Sequence, residues 1–137
     1  MIKIENGEMS DEEAYANAYA HFLPVLKLLA EDAETQCKTM GYFNVAWELK
    51  DDASRDALAV LNLSGENLSQ EQRDGLTKLL EELNAIPDAV INVANVKEEH
   101  IRTMSHPCWI PLRTHAVELI HLLDSETQRT NAFFNRP

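Results

Sequence analysis

The feature that most constrains the fold is a helical periodicity in the apolar residues between positions 10 and 40. The side chains that recur there at steps of three and four are Tyr15, Tyr19, Phe22, Leu26, Leu29, Ala33, Cys37 and Met40. Since an α-helix turns every ~3.6 residues, these side chains lie on one face. Ser10 and Glu13 have capping-box spacing, and Gly41 suits a left-handed C-terminus. The pattern predicts one long helix, kinked or divided at Pro24.

A second apolar stripe predicts another helix over residues 44–63, with Asn44 as its cap and Gly65 at its end. Its members are Ala46, Leu49, Ala53, Ala57 and Val60. A short β-hairpin over residues 43–50 is the alternative, because four apolar residues alternate there, namely Phe43, Val45, Trp47 and Leu49.

Capping pairs and prolines mark the remaining helix starts, at Ser69 with Gln72, at Pro87, at Pro111, and at Ser125 with Gln128. The chain of 137 residues has only four glycines and five prolines, which favours long helices over many strands. We therefore expect an all-α, single-domain compact bundle of about five helices over residues 1–137. Residues 1–9 would form an N-terminal arm and residues 131–137 a C-terminal tail.

The charge balance restricts the partners. Twenty-three acidic residues against twelve basic ones give a net charge of −11. This field repels nucleic acid and anionic membranes and attracts basic proteins. The first residues lack the apolar stretch of a signal peptide, and Cys37 and Cys108 make no disulfide framework. We expect a cytoplasmic protein with a basic protein partner, no direct contact with nucleic acid and no membrane contact; homo-oligomerisation stays open.

The segment at residues 104–124 is rich in potential metal ligands, which are His106, Cys108, His115 and His121, with His100 upstream. His115 and His121 lie six positions apart on one expected helix, so their side chains diverge by about 120°. The spacing His106-x-Cys108 matches none of the strong zinc patterns. We therefore expect neither a zinc nor an iron site here.

The same segment is better explained as a docking loop. Two prolines bracket residues 108–110, so Trp109 and Ile110 are expected to plug the end of the bundle. His115 borders the apolar stripe and is expected to hydrogen-bond a neighbouring helix. A nucleophilic role for Cys108, with His106 lowering its pKa, is the alternative.

Two acid pairs stand at equal distances from Gly41. They are Glu31 with Glu34 in "EDAE" and Glu48 with Asp51 in "ELKD". Each pair is spaced by three, which places both acids on one face of a helix. A hairpin turning at Gly41 would bring the four carboxylates to the same level, where they could hold magnesium.

This spacing resembles the all-α nucleotide pyrophosphatases of the MazG and dimeric dUTPase kind, which carry E-x-x-E and E-x-x-D across a helical hairpin. The resemblance implies that Glu31, Glu34, Glu48 and Asp51 would ligate magnesium. It also implies phosphate contacts from basic and amide side chains, for which this chain offers Lys78, Asn95, Lys97 and Arg102. Both acid pairs, however, lie roughly opposite the apolar stripes, on the expected solvent face.

The charge, together with the lack of any nucleotide or hydrolase motif, predicts a small acidic cytoplasmic binding protein without a cofactor or catalytic residues. It would act as an inhibitor or immunity-type protein that presents an acidic helical face to a basic partner. The expected contact acids are Glu31, Glu34, Glu48, Asp51 and Asp52. The alternatives are the magnesium-dependent pyrophosphatase and a structural subunit of a helical oligomer.

Overall fold

A computed structural model describes residues 10–135, so the predicted arm at residues 1–9 lies outside the described residues. The described chain forms eight α-helices and no strand, which confirms the all-α class but divides the expected five helices further. They are α1 (Asp11–Leu29), α2 (Ala33–Thr39), α3 (Val45–Leu63), α4 (Gln70–Asn84), α5 (Asp88–Ile91), α6 (Lys97–Met104), α7 (Ile110–Leu122) and α8 (Asp124–Phe134). The alternative hairpin at residues 43–50 is wrong, since α3 covers most of it.

The core is built on the pair α1 and α3. These helices run antiparallel, because the start of α1 and the end of α3 line one shared cleft through Glu12 and Leu63. The stripe of α3 and the members of the first stripe that lie on α1 are buried, whereas Ala33 and Met40, which were predicted to extend the first stripe, are only partly buried. Helices α7 and α8 pack against α1, and α4 packs against α3 and α7. At Gly75 on α4 an added Cβ would come within 2.8 Å of Leu119 on α7, so a residue without a side chain permits this close approach.

The first long helix divides at residues 30–32, so of the two outcomes predicted at Pro24, a kink or a division, the division is wrong. Helix α1 continues through Pro24 to its end. The Asp32 side chain accepts a hydrogen bond of 2.8 Å from the Thr35 amide and so caps α2. The side-chain amide of Gln36 on α2 donates to two backbone carbonyls in the last turn of α1, at 3.1 and 3.2 Å. These bonds satisfy the backbone where the chain changes direction.

The turn between α2 and α3 has an unusual backbone. Gly41 has φ 68°, and its amide donates to the Lys38 carbonyl while the Tyr42 amide donates to the Cys37 carbonyl. This is the Schellman arrangement, and it confirms the predicted left-handed glycine. Tyr42 and Asn44 follow with φ 55° and 42°. Asn44 precedes α3 but its side chain makes no capping bond, so its predicted capping role is wrong.

The two downstream capping boxes have different outcomes. At the start of α4, Ser69 and Gln72 form both bonds of the box, as predicted. At the start of α8, Ser125 and Gln128 form neither, because the helix already begins at Asp124. The side-chain amide of Gln128 donates to the Asp124 carboxylate instead, at 2.6 Å. The predicted break before α8 is correct, but its predicted cap is wrong.

The predicted fourth helix after Pro87 is two short helices, α5 and α6, separated by residues 92–96. The hydroxyl of Thr103 on α6 donates to the Val90 carbonyl in α5, which holds the two helices together. The β-branched residues lower the helix propensity of this segment. Where the helix is interrupted, the Thr103 side chain supplies the Val90 carbonyl with a hydrogen bond.

Part of the expected tail at residues 131–137 belongs to α8, which ends at Phe134. Two tyrosines of α1 hold this helix in place. The Tyr15 hydroxyl donates to the buried Glu126 carboxylate at 2.8 Å, and the Tyr19 hydroxyl contacts the start of α8. None of the helices in the described part of the chain is long and apolar enough to cross a bilayer.

Candidate functional site

A surface cleft lies where α3 meets the end of α4 and the short helix α5. Its volume is about 390 Å³. The residues that line it are Trp47, Lys50, Asp51 and Ser54 on α3, Asn84 on α4, and Asp88, Ile91 and Asn92 at α5. We call this feature the Trp47 cleft. Helices α3 and α5 each contribute one carboxylate to the lining, from Asp51 and Asp88.

The helical repeat of α3 explains why its four lining residues share one face. Positions 47, 50, 51 and 54 are spaced by three, four and seven, as neighbours on one side of a helix are. The apolar stripe of α3 occupies a different side, which is buried against α1 and α4. Leu49 and Ala53 belong to that stripe and are fully buried. Trp47 is therefore left outside the core.

Large apolar side chains are exposed in the first turn of α3 and just before α3 and α6. Trp47 is 49% exposed, Phe43 just before α3 is 58% exposed, and Val96 just before α6 is 50% exposed. The two loops that carry Phe43 and Val96 lie side by side, since the Asn44 amide donates to the Asn95 side chain at 3.2 Å. Exposed apolar side chains on two adjoining loops are candidates for a binding surface.

The loop that presents Phe43 is strained but well fixed. Non-glycine residues at positive φ are uncommon, and Tyr42 and Asn44 both adopt it. The Lys97 ammonium lies 5.0 Å from the centre of the Tyr42 ring, a cation–π contact. The side-chain oxygen of Asn95, which accepts the Asn44 amide, also lies 2.5 Å from a ring nitrogen of His100. Strain that persists under such constraint is concentrated at functional sites.

The negative charges of the acidic residues on α3 are partly neutralised by a basic side chain on the same helix. Arg55 pairs with Asp51 at 3.0 Å and with Asp52 at 2.8 Å. Burial raises the pKa of Asp56; the charge of Arg55 opposes this shift and that of Asp52 adds to it. Glu48 lies in the first turn of α3 and is half-buried. This face is thus acidic on balance, and part of its charge is held in internal ion pairs.

The first predicted acid pair is placed differently from the expectation. Glu31 lies in the turn between α1 and α2, whereas Glu34 lies in the first turn of α2, and both are exposed. They do not share a helical face, because the helix is interrupted at residues 30–32. Helix α2 packs mainly against α6. The predicted hairpin with two acid pairs at one level is therefore wrong.

Among residues 10–135 no three His, Cys, Asp or Glu side chains form a group that could hold a metal ion. The four acids of the resemblance do not assemble into a magnesium site in this part of the chain. His115 is buried and its Nδ1 lies 2.7 Å from the Glu82 carboxylate on α4, which confirms the predicted bond to a neighbouring helix. His121 is exposed on α7, as the divergence of the two side chains required.

The loop before α7 is partly as predicted. Trp109 is fully buried at the end of the bundle, but Ile110 is 58% exposed and does not plug it. A 3-10 turn runs through Pro107–Trp109 directly into α7, which turns Ile110 outward. His106 Nδ1 accepts a hydrogen bond from the Cys108 backbone amide at 3.0 Å. Burial raises the pKa of the Cys108 thiol, which disfavours the thiolate form that a nucleophile requires.

The Trp47 cleft was missed by the sequence reasoning because Trp47 was assigned only to an alternation of apolar residues. The spacing of positions 47, 50, 51 and 54 was a signal that could have found its α3 wall. Comparison of the chain with protein-family models, with curated proteins and with solved structures found no match.

Proposed function

We propose that this protein is a small acidic binding protein that presents a helix-built face to a basic protein partner. The observation that carries the proposal is the exposure of Phe43 and Trp47 beside the acids of α3. Stable interfaces have aromatic anchors at their centre and polar or charged residues at their rim. An inhibitor or immunity-type protein would use such a surface.

Charge supports the same proposal. A net charge of −11 attracts a basic partner over a distance and speeds the encounter. Of the contact acids proposed from the sequence, Glu48, Asp51 and Asp52 lie on α3, the helix that carries Trp47, and Asp51 lines the cleft itself. Glu31 and Glu34 are exposed on the connection to α2 and extend the acidic surface.

Two variants with the same net charge separate a specific acidic face from charge alone. The first neutralises four of the proposed contact acids, as Glu31→Gln, Glu34→Gln, Glu48→Gln and Asp52→Asn. The second neutralises four exposed acids on other helices, as Glu71→Gln, Asp74→Asn, Glu81→Gln and Glu118→Gln. The measurement is the association rate constant with a basic protein that co-purifies at low salt, determined across a range of ionic strengths.

The first variant should associate about tenfold more slowly and show a weaker dependence on salt, because steering by local charge is lost. The second should stay close to wild type. Equal slowing of both variants would mean that only net charge matters, and the proposed face would be abandoned.

A further inference from the structure

The Trp47 cleft has the chemistry to receive one cationic side chain, and we infer that it takes an arginine of the basic partner. This inference rests on the proposed function and names the group that the site recognises. The cleft combines a half-exposed indole, two carboxylates from different helices, and two side-chain amides, contributed by Asn84 and Asn92.

Size and shape suit a single side chain. Small-molecule sites begin at about 300 Å³, and this cleft of about 390 Å³ is near that lower limit. It is open on one side, so a residue on the surface of another protein can enter it without any movement of α3 or α5. Ile91 supplies an apolar wall against which an alkyl chain can lie.

The charges in the cleft favour a cation. Asp51 and Asp88 oppose one lysine, Lys50, within the lining. Asp51 is already paired with Arg55 at 3.0 Å, outside the lining, but its side chain remains 45% exposed and keeps acceptor capacity. Asp88 makes no ion pair among the described residues and is exposed in the first turn of α5. An incoming cation would therefore find its main partner in Asp88.

Arginine fits this set better than lysine. A guanidinium is planar, so it stacks on an indole face while its N–H groups donate to carboxylate and amide oxygens in the same plane. An ammonium is a compact, strongly hydrated charge that gains less from the flat ring. Tryptophan is the best of the aromatic residues for such contacts.

The test uses two capped pentapeptides with glycine spacers, one with two arginines and one with two lysines. Calorimetric titration at low salt should give about two- to fivefold tighter binding of the arginine peptide. Trp109 is fully buried, so acrylamide quenching of the fluorescence reports Trp47, and the arginine peptide should protect it.

Three variants test whether the arginine peptide binds in the Trp47 cleft. Asp88→Asn and Trp47→Leu should each weaken the arginine peptide by about two- to fivefold, and Trp47→Leu should abolish the preference over lysine. Glu118→Gln is the matched control, because it removes one exposed acid from α7, away from the cleft, and should leave binding unchanged. Circular dichroism should show unchanged helix content in all three.

Equal binding of the two peptides, with equal effects of Asp88→Asn and Glu118→Gln, would overturn the arginine inference and leave the acidic-face proposal standing. A concentration-dependent dimer abolished by Trp47→Leu would place a second copy in the cleft and would also overturn it. Arginine binding that survives neutralisation of the four contact acids would support the cleft and separate it from the acidic face.

Discussion

The two tryptophans of this chain have opposite environments. Trp109 is fully buried under the start of α7, whereas Trp47 is 49% exposed in a cleft lined by two carboxylates. The region around Trp109 follows common backbone rules, with a proline opening a 3-10 turn. The region around Trp47 departs from them, with two non-glycine residues at positive φ. The comparison indicates that one aromatic residue serves the fold and the other is available for binding.

The largest expected effect is on stability, and it distinguishes the structural role of Trp109 from the binding role of Trp47. Trp109→Ala should lower the free energy of unfolding by about 3–5 kcal/mol, because it removes a large buried side chain and leaves a cavity. Trp47→Ala should lower it by less than about 1 kcal/mol, since a half-exposed ring buries little area. Urea denaturation of both variants measures the difference. Similar losses for the two would refute the division of roles.

A smaller effect concerns the backbone beside Trp47. Asn44 precedes α3 at φ 42°, and its side-chain oxygen makes no capping bond. The backbone conformation at this position should therefore matter more to stability than the side-chain oxygen does. Serine is also a residue type that caps helices well, but it disfavours positive φ. Asn44→Ser should therefore lower the free energy of unfolding by about 1 kcal/mol. Asn44→Gly should stay near wild type. Thermal or urea melts of the two variants provide the measurement.

Ser69 is the matched control for that experiment, because its hydroxyl accepts a real capping bond of 3.1 Å from the Gln72 amide. Ser69→Ala should cost about 1 kcal/mol, whereas Ser69→Asn, which keeps an oxygen cap, should be nearly neutral. If Asn44→Ser proved neutral, the strain assigned to the Trp47 region would be contradicted.

The smallest effect concerns charge on α3. Burial raises the pKa of Asp56, so its ionised form is less favourable in the folded than in the unfolded protein. This penalty is absent below the unfolded pKa, close to 3.8, and is complete once the pH exceeds the raised folded value. Asp56→Asn should therefore stabilise the protein at pH 7, by less than about 1 kcal/mol, and should lose this advantage near pH 3. Denaturation at both pH values checks the sign; a destabilised variant at pH 7 would show that the pair with Arg55 dominates.

Local patterns predicted much of this fold. The stripes of α1 and α3 were read correctly because each apolar position repeats with the helical period, and burial follows from that repeat. Gly41 and the Ser69–Gln72 box were also predictable, since left-handed termini and caps depend on neighbouring residues only. The buried Trp109 followed from the two prolines that bracket residues 108–110, and the His115 bond followed from its position at the border of the last stripe.

The errors occurred where a distant group decides the outcome. Pro24 does not divide the first helix, whereas residues 30–32 do, because Gln36 reaches back to the last carbonyls of α1. That bond is a property of the folded chain, and it separates Glu31 from Glu34. Ile110 was expected inside and lies outside because the 3-10 turn sets the starting angle of α7.

The sequence by itself determined the all-helical class, the buried stripes and the acidic character, because each depends on composition or on residues a few positions apart. Only the tertiary structure decided that α2 packs mainly against α6 and that Trp47 lines a cleft with Asp88. Those two side chains are brought together by the packing of α5 beside α3, and helix periodicity carries no information about which helices become neighbours.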